Sequence, residues 1–213
     1  MIVVGAKGTA KEVLEILSVE LNYKDKDVVF FDDTTVPKRD RLYQKFKILH
    51  EFDEVQAYFK TTSPDFTLGL GLPKYRRMFA QKFIDLGGRF YGLISKKAHV
   101  GSFKTTLGDG TQIMHGVTIT NEVQIGTGVL VNINSSISHE TTIGDFTEIA
   151  CGVTIAGRCA IGDNVFIGSN ATINPDVTIG NNAIIGSGAV VIKDVKNNTI
   201  VVGNPAKILR TIS

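Results

Sequence analysis

The second half of the chain repeats itself every six residues. From Leu107 to Val191 every sixth residue is a large aliphatic one, without a slip in register. A second column, two residues before each of these positions, is uncharged and holds nothing bulkier than valine. An α-helix repeats every 3.6 residues and a β-strand every two, so neither explains this pattern. A fixed six-residue repeat is typical of a parallel β-helix built from hexapeptides.

The repeat also predicts the dimensions of such a helix. Three six-residue sides form a triangular coil of about 18 residues, and coils stack at about 4.8 Å, which gives roughly five coils. The large aliphatic side chains should point inward, and the small residues should lie near the corners. Glycine often follows the aliphatic position, as at Gly126 and Gly144. We expect these glycines to adopt backbone angles that other residues avoid. A periodic β-sandwich is the alternative interpretation.

The first part of the chain indicates a small α/β domain. Short apolar segments alternate with helical patterns, which implies a parallel sheet. The apolar segments end at Gly5–Gly8, Asp32–Asp33 and Gly69–Gly71, and ligands of such sheets bind at the carboxyl ends of strands. A glycine turn that opens a helix suits phosphate, and a carboxylate after the second strand suits a ribose hydroxyl or a base N–H. The complete G-x-G-x-x-G pattern is missing, so a plain strand-to-helix turn is the alternative.

These patterns divide the chain into three segments. We expect an α/β domain over residues 1–92, the β-helix over residues 93–195 and a C-terminal extension over residues 196–213. Within the first domain, Thr34 to Lys47 is charged and contains proline, and we expect a solvated loop there. The final residues should form a short helix or strand against the β-helix.

Composition and charge narrow the choice of partners. The net charge of +2 is too close to neutral to indicate nucleic acid or an anionic membrane as the main partner. No signal peptide or membrane span is visible, so we expect a cytoplasmic protein without membrane insertion. The two cysteines, Cys151 and Cys159, do not make a disulfide framework. Cys159 falls in the small corner column and should be packed, whereas Cys151 should be exposed.

A β-helix of this kind is filled with side chains, so its site must lie on the outside or between neighbouring copies. His139 stands out because Glu140 follows it and Asn132 precedes it by seven residues, on the adjoining edge. A neutral imidazole beside a carboxylate is a candidate general base. His115 is the rival candidate. No cluster of histidine, cysteine and carboxylate residues has the spacing of a metal site.

Three parts of the chain together resemble a known family. They are the small N-terminal domain, the stretch Asn132 to Phe146 (NINSSISHETTIGDF) and the ending Val202 to Lys207 (VGNPAK). The resemblance is to the bacterial hexapeptide acyltransferases that acetylate nucleotide-linked amino sugars, a branch that also includes sialic acid O-acetyltransferases. It implies a small Rossmann-like α/β domain followed by an all-β left-handed parallel β-helix. It further implies acetyl-CoA as co-substrate, no metal, a homotrimer and a role in surface glycan biosynthesis.

The resemblance also implies roles for individual residues. His139 would be the general base in a direct transfer, and Glu140 would increase its basicity. Acetyl-CoA would lie in the groove between two β-helices of the trimer, with the Gly203 to Lys207 segment closing its far end. The nucleotide sugar would contact Gly5, Lys7, Gly8, Asp32, Asp33, Gly71 and Asn132. The cofactor contacts would be Glu148, Ser169, Ser187 and Lys207.

The chain departs from this family at two places. Relatives usually carry G-x-G-G-H-G in the first loop, whereas Gly5 to Ala10 here is GAKGTA, which makes Lys7 the candidate replacement contact to a diphosphate. Some relatives carry a second histidine nine residues after the base, and that position here is Glu148.

Three other functions compete with amino-sugar acetylation. The nearest is O-acetylation of a sugar hydroxyl, of the sialic acid type. A β-helix that binds a nucleotide without catalysis belongs to another class, and the His139–Glu140 pair argues against it. A nucleotidyltransferase with a β-helical tail is disfavoured because residues 1–92 are too few for that catalytic domain.

Overall fold

The structure is a computed structural model that describes residues 1–212. Its contacts divide the chain into two compact units. The first unit comprises residues 1–71 and 75–92, and the second comprises residues 72–74 and 93–212. Ser213, the last residue of the predicted C-terminal extension, lies outside the described residues.

The first unit is built on one sheet. Its strands are β1 (Ile2–Val4), β2 (Val29–Phe31), β3 (Arg41–Leu42), β4 (Phe46–Leu49), β5 (Asp65–Leu68) and β6 (Arg89–Phe90). Its helices are α1 (Gly8–Glu15), which continues as a π-helical turn (Ile16–Glu20), a 3-10 turn (Asp25–Asp27), α2 (Phe52–Thr61) and α3 (Pro73–Asp85). The strand order is β3-β4-β2-β1-β5-β6, and all pairs are parallel except the hairpin β3–β4. The carboxyl ends of β1, β2 and β4 therefore lie next to one another.

Phenylalanine side chains form much of the core of this unit. The ring of Phe83, on α3, lies 5.2 Å from that of Phe31 and 5.3 Å from that of Phe66, measured between ring centroids. Strands β1 and β2 are buried along their whole length, as expected of strands covered on both faces of a parallel sheet.

The expectation of a solvated loop from Thr34 to Lys47 is wrong for its second half. Strand β3 and the start of β4 lie there and form a hairpin. Leu42 and Phe46 are buried, and the Phe46 ring meets Phe30 edge-on at 5.9 Å. Within Thr34 to Lys47 only Leu42 and Phe46 are buried, and two apolar residues among charged ones form no periodic pattern.

The second unit is a stack of three sheets that the chain visits in turn. The first sheet holds β7 (Leu93–Ile94), β10 (Gln112–Ile113), β13 (Leu130–Val131), β16 (Glu148–Ile149), β19 (Phe166–Ile167), β22 (Ile184–Ile185) and β24 (Thr199–Val202). The second holds β8 (His99–Val100), β11 (Thr118–Ile119), β14 (Ser136–Ile137), β17 (Thr154–Ile155), β20 (Thr172–Ile173) and β23 (Val190–Val191). The third holds β9 (Thr106–Leu107), β12 (Gln124–Ile125), β15 (Thr142–Ile143), β18 (Ala160–Ile161) and β21 (Thr178–Ile179).

All pairs in these three sheets are parallel until the chain reaches its end. Strand β24 continues the first sheet beside β22, and β25 (Lys207–Thr211) then pairs with β24 in the antiparallel sense. The C-terminal extension therefore begins as a further rung of the β-helix and closes with an edge strand.

The two residue columns seen in the sequence form the inside of the stack. The aliphatic positions from Ile113 to Val191 are all buried. Buried hydroxyls in the small column bond to the backbone of the next coil. The Oγ1 of Thr147, for example, donates to the carbonyl of Gly162 at 2.8 Å and accepts the N–H of Val165 at 3.0 Å. Each such hydroxyl is satisfied without water, as buried polar groups generally are.

The expected reason for the glycines is wrong. Left-handed backbone angles occur at the third residue after every aliphatic position from Leu107 to Ile185, for example at Glu140 (φ +60°), and not at the glycine that directly follows such a position. A Cβ atom on Gly126 would instead lie 2.4 Å from Oδ1 of Asp145 on the next coil, and one on Gly144 would lie 2.4 Å from Oδ1 of Asp163. These glycines are required because successive coils approach closely there.

Candidate active site

His139 and Glu140 form a pair at the corner between the second and third sheets, directly after β14. The His139 Nδ1 lies 2.9 Å from Oε2 of Glu140. An ionised carboxylate can only accept, so Nδ1 carries the hydrogen and the Nε2 lone pair points elsewhere. Both side chains are about half exposed, at 53% and 54%. The pair thus presents a basic nitrogen to the outside of the β-helix, as a general base requires.

A column of residues 18 apart runs along this corner, and we call it the His139 corner: Phe103, Asn121, His139, Gly157 and Pro175. The imidazole lies against Gly157. A Cβ atom there would be 2.6 Å from Cε1, 2.8 Å from Nε2 and 3.1 Å from Nδ1 of the ring. The absence of a side chain at residue 157 therefore makes the space that the ring occupies.

Backbone N–H groups at the His139 corner are open, unlike those of the corner between the third and first sheets. There four successive N–H groups, from Thr127 to Asn181, are capped by an Asp or Asn side chain of the next coil, as Thr127 is by Asp145 and Asp145 by Asp163, both at 2.8 Å. At the His139 corner one such bond forms, from Phe103 to Oδ1 of Asn121 at 3.2 Å. It is not repeated, because the next residues in the column offer no side-chain acceptor in the same place.

This interruption leaves three N–H groups, of Asn121, His139 and Gly157, without an acceptor within the described residues 1–212. Apart from Asn121, the His139 corner lacks the Asp and Asn residues that occupy the equivalent positions at the corner between the third and first sheets. This difference is a signal in the sequence that periodicity alone does not single out.

The other predicted residues of the second unit lie away from the imidazole. Asn132, Ser169 and Ser187 lie at the corner between the first and second sheets, and no hydrogen bond joins Asn132 to His139. His115, the rival base, lies at that same corner and is half-buried. Lys207 begins the edge strand β25 and is exposed.

Glu148 has a different surrounding. It lies in β16 and is 8% exposed. Its Oε2 accepts the backbone N–H of Leu72 at 2.5 Å, and Leu72 itself has a left-handed backbone (φ +62°). The carboxylate therefore fixes the backbone of residues 72–74. Its contact with a cofactor stays a prediction.

The first unit has a cavity of about 90 Å³ at the carboxyl ends of β1, β2 and β4. Its lining consists of Ala6, Lys7, Asp32, Thr35, Arg39, Leu42, Ile48 and His50. Lys7 precedes the first residue of α1, Gly8, so a cation and a helix N-terminus meet at one side of the cavity. Gly5 has φ +105°, and a Cβ atom there would lie 2.8 Å from the carbonyl oxygen of Gly69. A glycine is therefore required at the turn that forms this wall.

Asp32 organises the loop that follows β2. Its Oδ1 accepts the backbone N–H of Thr34 at 3.0 Å and that of Thr35 at 3.1 Å, and both threonine hydroxyls bond to the same carboxylate. Burial alone would raise the pKa of Asp32, but these hydrogen bonds outweigh burial and lower the pKa. Asp33, beside it, is exposed and free to meet a ligand.

Arg39 and His50 are cavity residues that the sequence did not indicate. The Nδ1 of His50 donates to the backbone carbonyl of Asp32 at 2.7 Å. Both residues enter the cavity because the hairpin β3–β4 folds back beside β2, and no local motif announces this.

The two cysteines have the exposure that their positions predict. Cys151 is exposed and Cys159 is buried. The Cys159 thiol donates to the carbonyl of Asn174 at 3.2 Å, and burial raises its pKa, so it is protonated at neutral pH. Over residues 1–212 no group of three or more histidine, cysteine or acidic residues could hold a metal ion, and no helix is long and apolar enough to cross a membrane.

Two protein families match the chain. Residues 1–83 match the PglD N-terminal domain, and residues 158–193 match the bacterial transferase hexapeptide (six repeats). The acetyltransferase domain of PglB from Neisseria gonorrhoeae has 27% identity and a TM-score of 0.86, and the comparison covers 98% of each chain. The same domain in complex with acetyl coenzyme A has 28% identity and a TM-score of 0.84, again over 98% of each chain. The chain is an acyltransferase that is similar to hexapeptide-repeat sugar acetyltransferases over nearly its whole length.

Another solved structure agrees with this similarity. A mutant of perosamine N-acetyltransferase from Caulobacter crescentus, in complex with CoA and GDP-perosamine, has 25% identity and a TM-score of 0.89 to this acetyltransferase, over 98% of this chain and 96% of that one. No curated protein matches the chain significantly. The predicted fold class, a Rossmann-like domain followed by a left-handed parallel β-helix, is confirmed, and so is acyltransferase activity.

Proposed function

We propose that this acetyltransferase moves the acetyl group of acetyl-CoA directly to the amine of a nucleotide-linked amino-deoxy sugar. The observation that carries this proposal is the His139–Glu140 pair, whose Nδ1–Oε2 distance of 2.9 Å leaves Nε2 as a free base on an exposed corner. The product would be an N-acetylated nucleotide sugar, a precursor for surface glycan biosynthesis.

The reaction needs one base and no covalent enzyme intermediate. The sugar nitrogen attacks the thioester carbonyl carbon while Nε2 of His139 accepts the proton that this nitrogen loses. Glu140 stabilises the imidazolium that forms. The carbon–sulfur bond then breaks, and the imidazolium returns its proton to the CoA thiolate. Histidine suits both steps because it gains and loses a proton near neutral pH.

The open backbone donors beside the imidazole support this chemistry. Gly157 is the residue against which the His139 ring packs, and its N–H has no acceptor in the described part of the chain. A preorganised donor of this kind can stabilise the oxyanion of the tetrahedral intermediate by about 3 kcal/mol. The corner therefore offers a base and an oxyanion donor one coil apart.

The first unit supports a nucleotide-linked acceptor. Its cavity combines Lys7 at the N-terminus of α1, a setting that favours phosphate, with Asp32 and Asp33 after β2. Arg39 adds a second cation. The solved structure of the perosamine enzyme holds GDP-perosamine, which supports a nucleotide-linked acceptor for this chain.

The cofactor is assigned to a groove between copies of the chain. The inside of the β-helix is filled with aliphatic side chains, so an extended ligand must lie along its outside. A homotrimer with cyclic symmetry would create three such grooves, each bordered by Ser169, Ser187 and Lys207. The cytoplasm, where acetyl-CoA and nucleotide sugars occur together, is the compartment we expect.

A thiol-release assay over a panel of acceptors tests the proposal. Nucleotide-linked 3-amino and 4-amino sugars should release CoA with saturable kinetics, and the same nucleotides without the amine should not. Release of CoA with sialic acid derivatives alone would replace the proposal by O-acetylation. Binding of a nucleotide sugar without CoA release from any acceptor would support the non-catalytic alternative.

A further inference from the structure

A second column of residues, all charged, runs along the His139 corner. It lies one position after the first column and consists of Lys104, Glu122, Glu140, Arg158 and Asp176, each with a left-handed backbone. Lys104 pairs with Glu122 at 3.7 Å, and Arg158 forms two hydrogen bonds to Asp176, at 2.7 and 2.9 Å. Glu140 lies between these two ion pairs and bonds to His139.

Arg158 is the group that can disturb the His139–Glu140 pair. It lies one coil beyond Glu140, and its backbone N–H donates to the carbonyl of His139 at 2.9 Å. The hydrogen bonds to Asp176 raise the pKa of its guanidinium, and the Glu140 carboxylate adds to that rise through charge alone. The charge of Glu140 thus acts on Arg158, but the hydrogen bonds of the guanidinium go to Asp176.

We propose that Asp176 is a positioning residue that holds the Arg158 guanidinium away from Glu140, so that the Glu140 carboxylate serves His139 alone. The proposal rests on the proposed role of His139 as the base. The other charged groups of this corner are Lys104 and Glu122, which neutralise each other. The neighbours of the ring in the first column, Asn121 and Gly157, are uncharged. Lys104 is paired with Glu122, so Arg158 is the cation of the two columns that lies beside the His139–Glu140 pair.

Loss of the Asp176 charge has a predictable sign. A freed guanidinium would move to Glu140, the other carboxylate whose charge acts on it, and compete with the Nδ1–H of His139 for it. The imidazolium would then be less stable, so the ring would hold a proton less strongly. We expect the acid limb of the kcat profile to move to lower pH. We also expect kcat to fall about threefold to fivefold, the rate equivalent of a surface ion-pair interaction.

Three variants separate positioning from a merely structural ion pair. Asp176→Asn removes the anion and keeps the shape, so it should lower kcat and move the acid limb. Arg158→Met removes the competing cation, so it should keep at least the parent kcat. The double variant should behave like Arg158→Met, since the Asp176 carboxylate no longer has a guanidinium to hold once Arg158 is replaced. A structural ion pair predicts instead that both single variants lose activity and stability alike.

A second readout makes the outcome independent of turnover. The pH at which the His139 ring signals move can be followed by NMR of the full-length protein labelled at histidine. It should be lower in Asp176→Asn than in the parent and should return in the double variant. Unchanged ring titration in Asp176→Asn, or equal effects of the two single variants, would overturn the proposal. If no acceptor is acetylated by the parent protein, the proposed function fails while this titration still decides the role of Asp176.

Discussion

The imidazole of His139 packs against the backbone of Gly157, the residue one coil further along the same corner. The space that a Cβ atom on Gly157 would fill is occupied by three ring atoms, at 2.6 to 3.1 Å. The ring is thus held from one side by Glu140 and from another by a surface without a side chain. Its orientation is set by two residues that the six-residue repeat alone would not distinguish from their neighbours.

Replacement of Gly157 by alanine should damage catalysis more than stability. The added methyl group would push the ring away from its position, and a displacement of about 1 Å at a reacting group can cost on the order of a hundredfold in rate. We expect Gly157→Ala to lower kcat between about tenfold and a hundredfold, measured by thiol release at saturating substrates.

Gly126→Ala is the matched control for this variant. A Cβ atom there would meet Oδ1 of Asp145 at 2.4 Å, so the steric conflict is similar, but it lies at the corner between the third and first sheets. It should destabilise the fold by about 1 to 3 kcal/mol in urea unfolding while the folded protein keeps its kcat. Equal kcat losses in the two variants would show that Gly157 has no special relation to the ring.

The repeat carried most of the information about the β-helix because its core is one-dimensional. Each inward residue packs on its counterpart 18 residues away, as Ile119 does beside Ile137, so the period fixes register, sheet number and burial together. The reason for the glycines after the aliphatic positions is not predictable from one repeat. It depends on the close approach of side chains from the next coil, such as Asp145 beside Gly126. The hairpin β3–β4 is not predictable from periodicity, since only two residues between Thr34 and Lys47 are buried and two are too few to form a pattern.

Stability of the first unit should depend on pH through Asp32. Its folded pKa is lowered, so its contribution is fully present above the unfolded value of about 3.9 and is lost as the pH falls through the folded pKa. Asp32→Asn should therefore reduce the unfolding free energy at pH 7 by about 1 to 2 kcal/mol. The difference between variant and parent should shrink below about pH 4.

Urea unfolding from pH 7 down to pH 3 measures this difference. Asp33→Asn is the control, because Asp33 is exposed and its replacement should change the unfolding free energy at pH 7 by less than about 0.5 kcal/mol. A deficit in Asp32→Asn that stayed constant over the whole range would show that the carboxylate charge is not what organises the loop.

The buried hydroxyl of Thr147 should contribute measurably to the β-helix. Thr147→Val keeps the volume but leaves the Gly162 carbonyl and the Val165 N–H without their partner. We expect a loss of about 1 to 3 kcal/mol in unfolding free energy. Thr178→Val, on the exposed side of β21, should change stability by less than about 0.5 kcal/mol. Similar losses in both variants would mean that the internal hydroxyls do not support the coil.

The site was only partly visible in the sequence, for a physical reason. His139 and Glu140 are consecutive residues, so the sequence shows this pair directly. The neighbours of the ring come from other coils, and Gly157 gains its meaning from lying 18 residues away on the same corner. The cavity residues Arg39 and His50 depend on the return of a hairpin, which no spacing encodes.

The central claim is that the free nitrogen of His139 takes the proton from the acceptor. Thiol release by His139→Ala, measured beside acetyl-CoA binding by calorimetry, tests it most directly. We predict a fall in kcat on the order of a hundredfold to ten-thousandfold with the dissociation constant for acetyl-CoA unchanged. A variant that releases CoA at the rate of the parent protein would contradict the account.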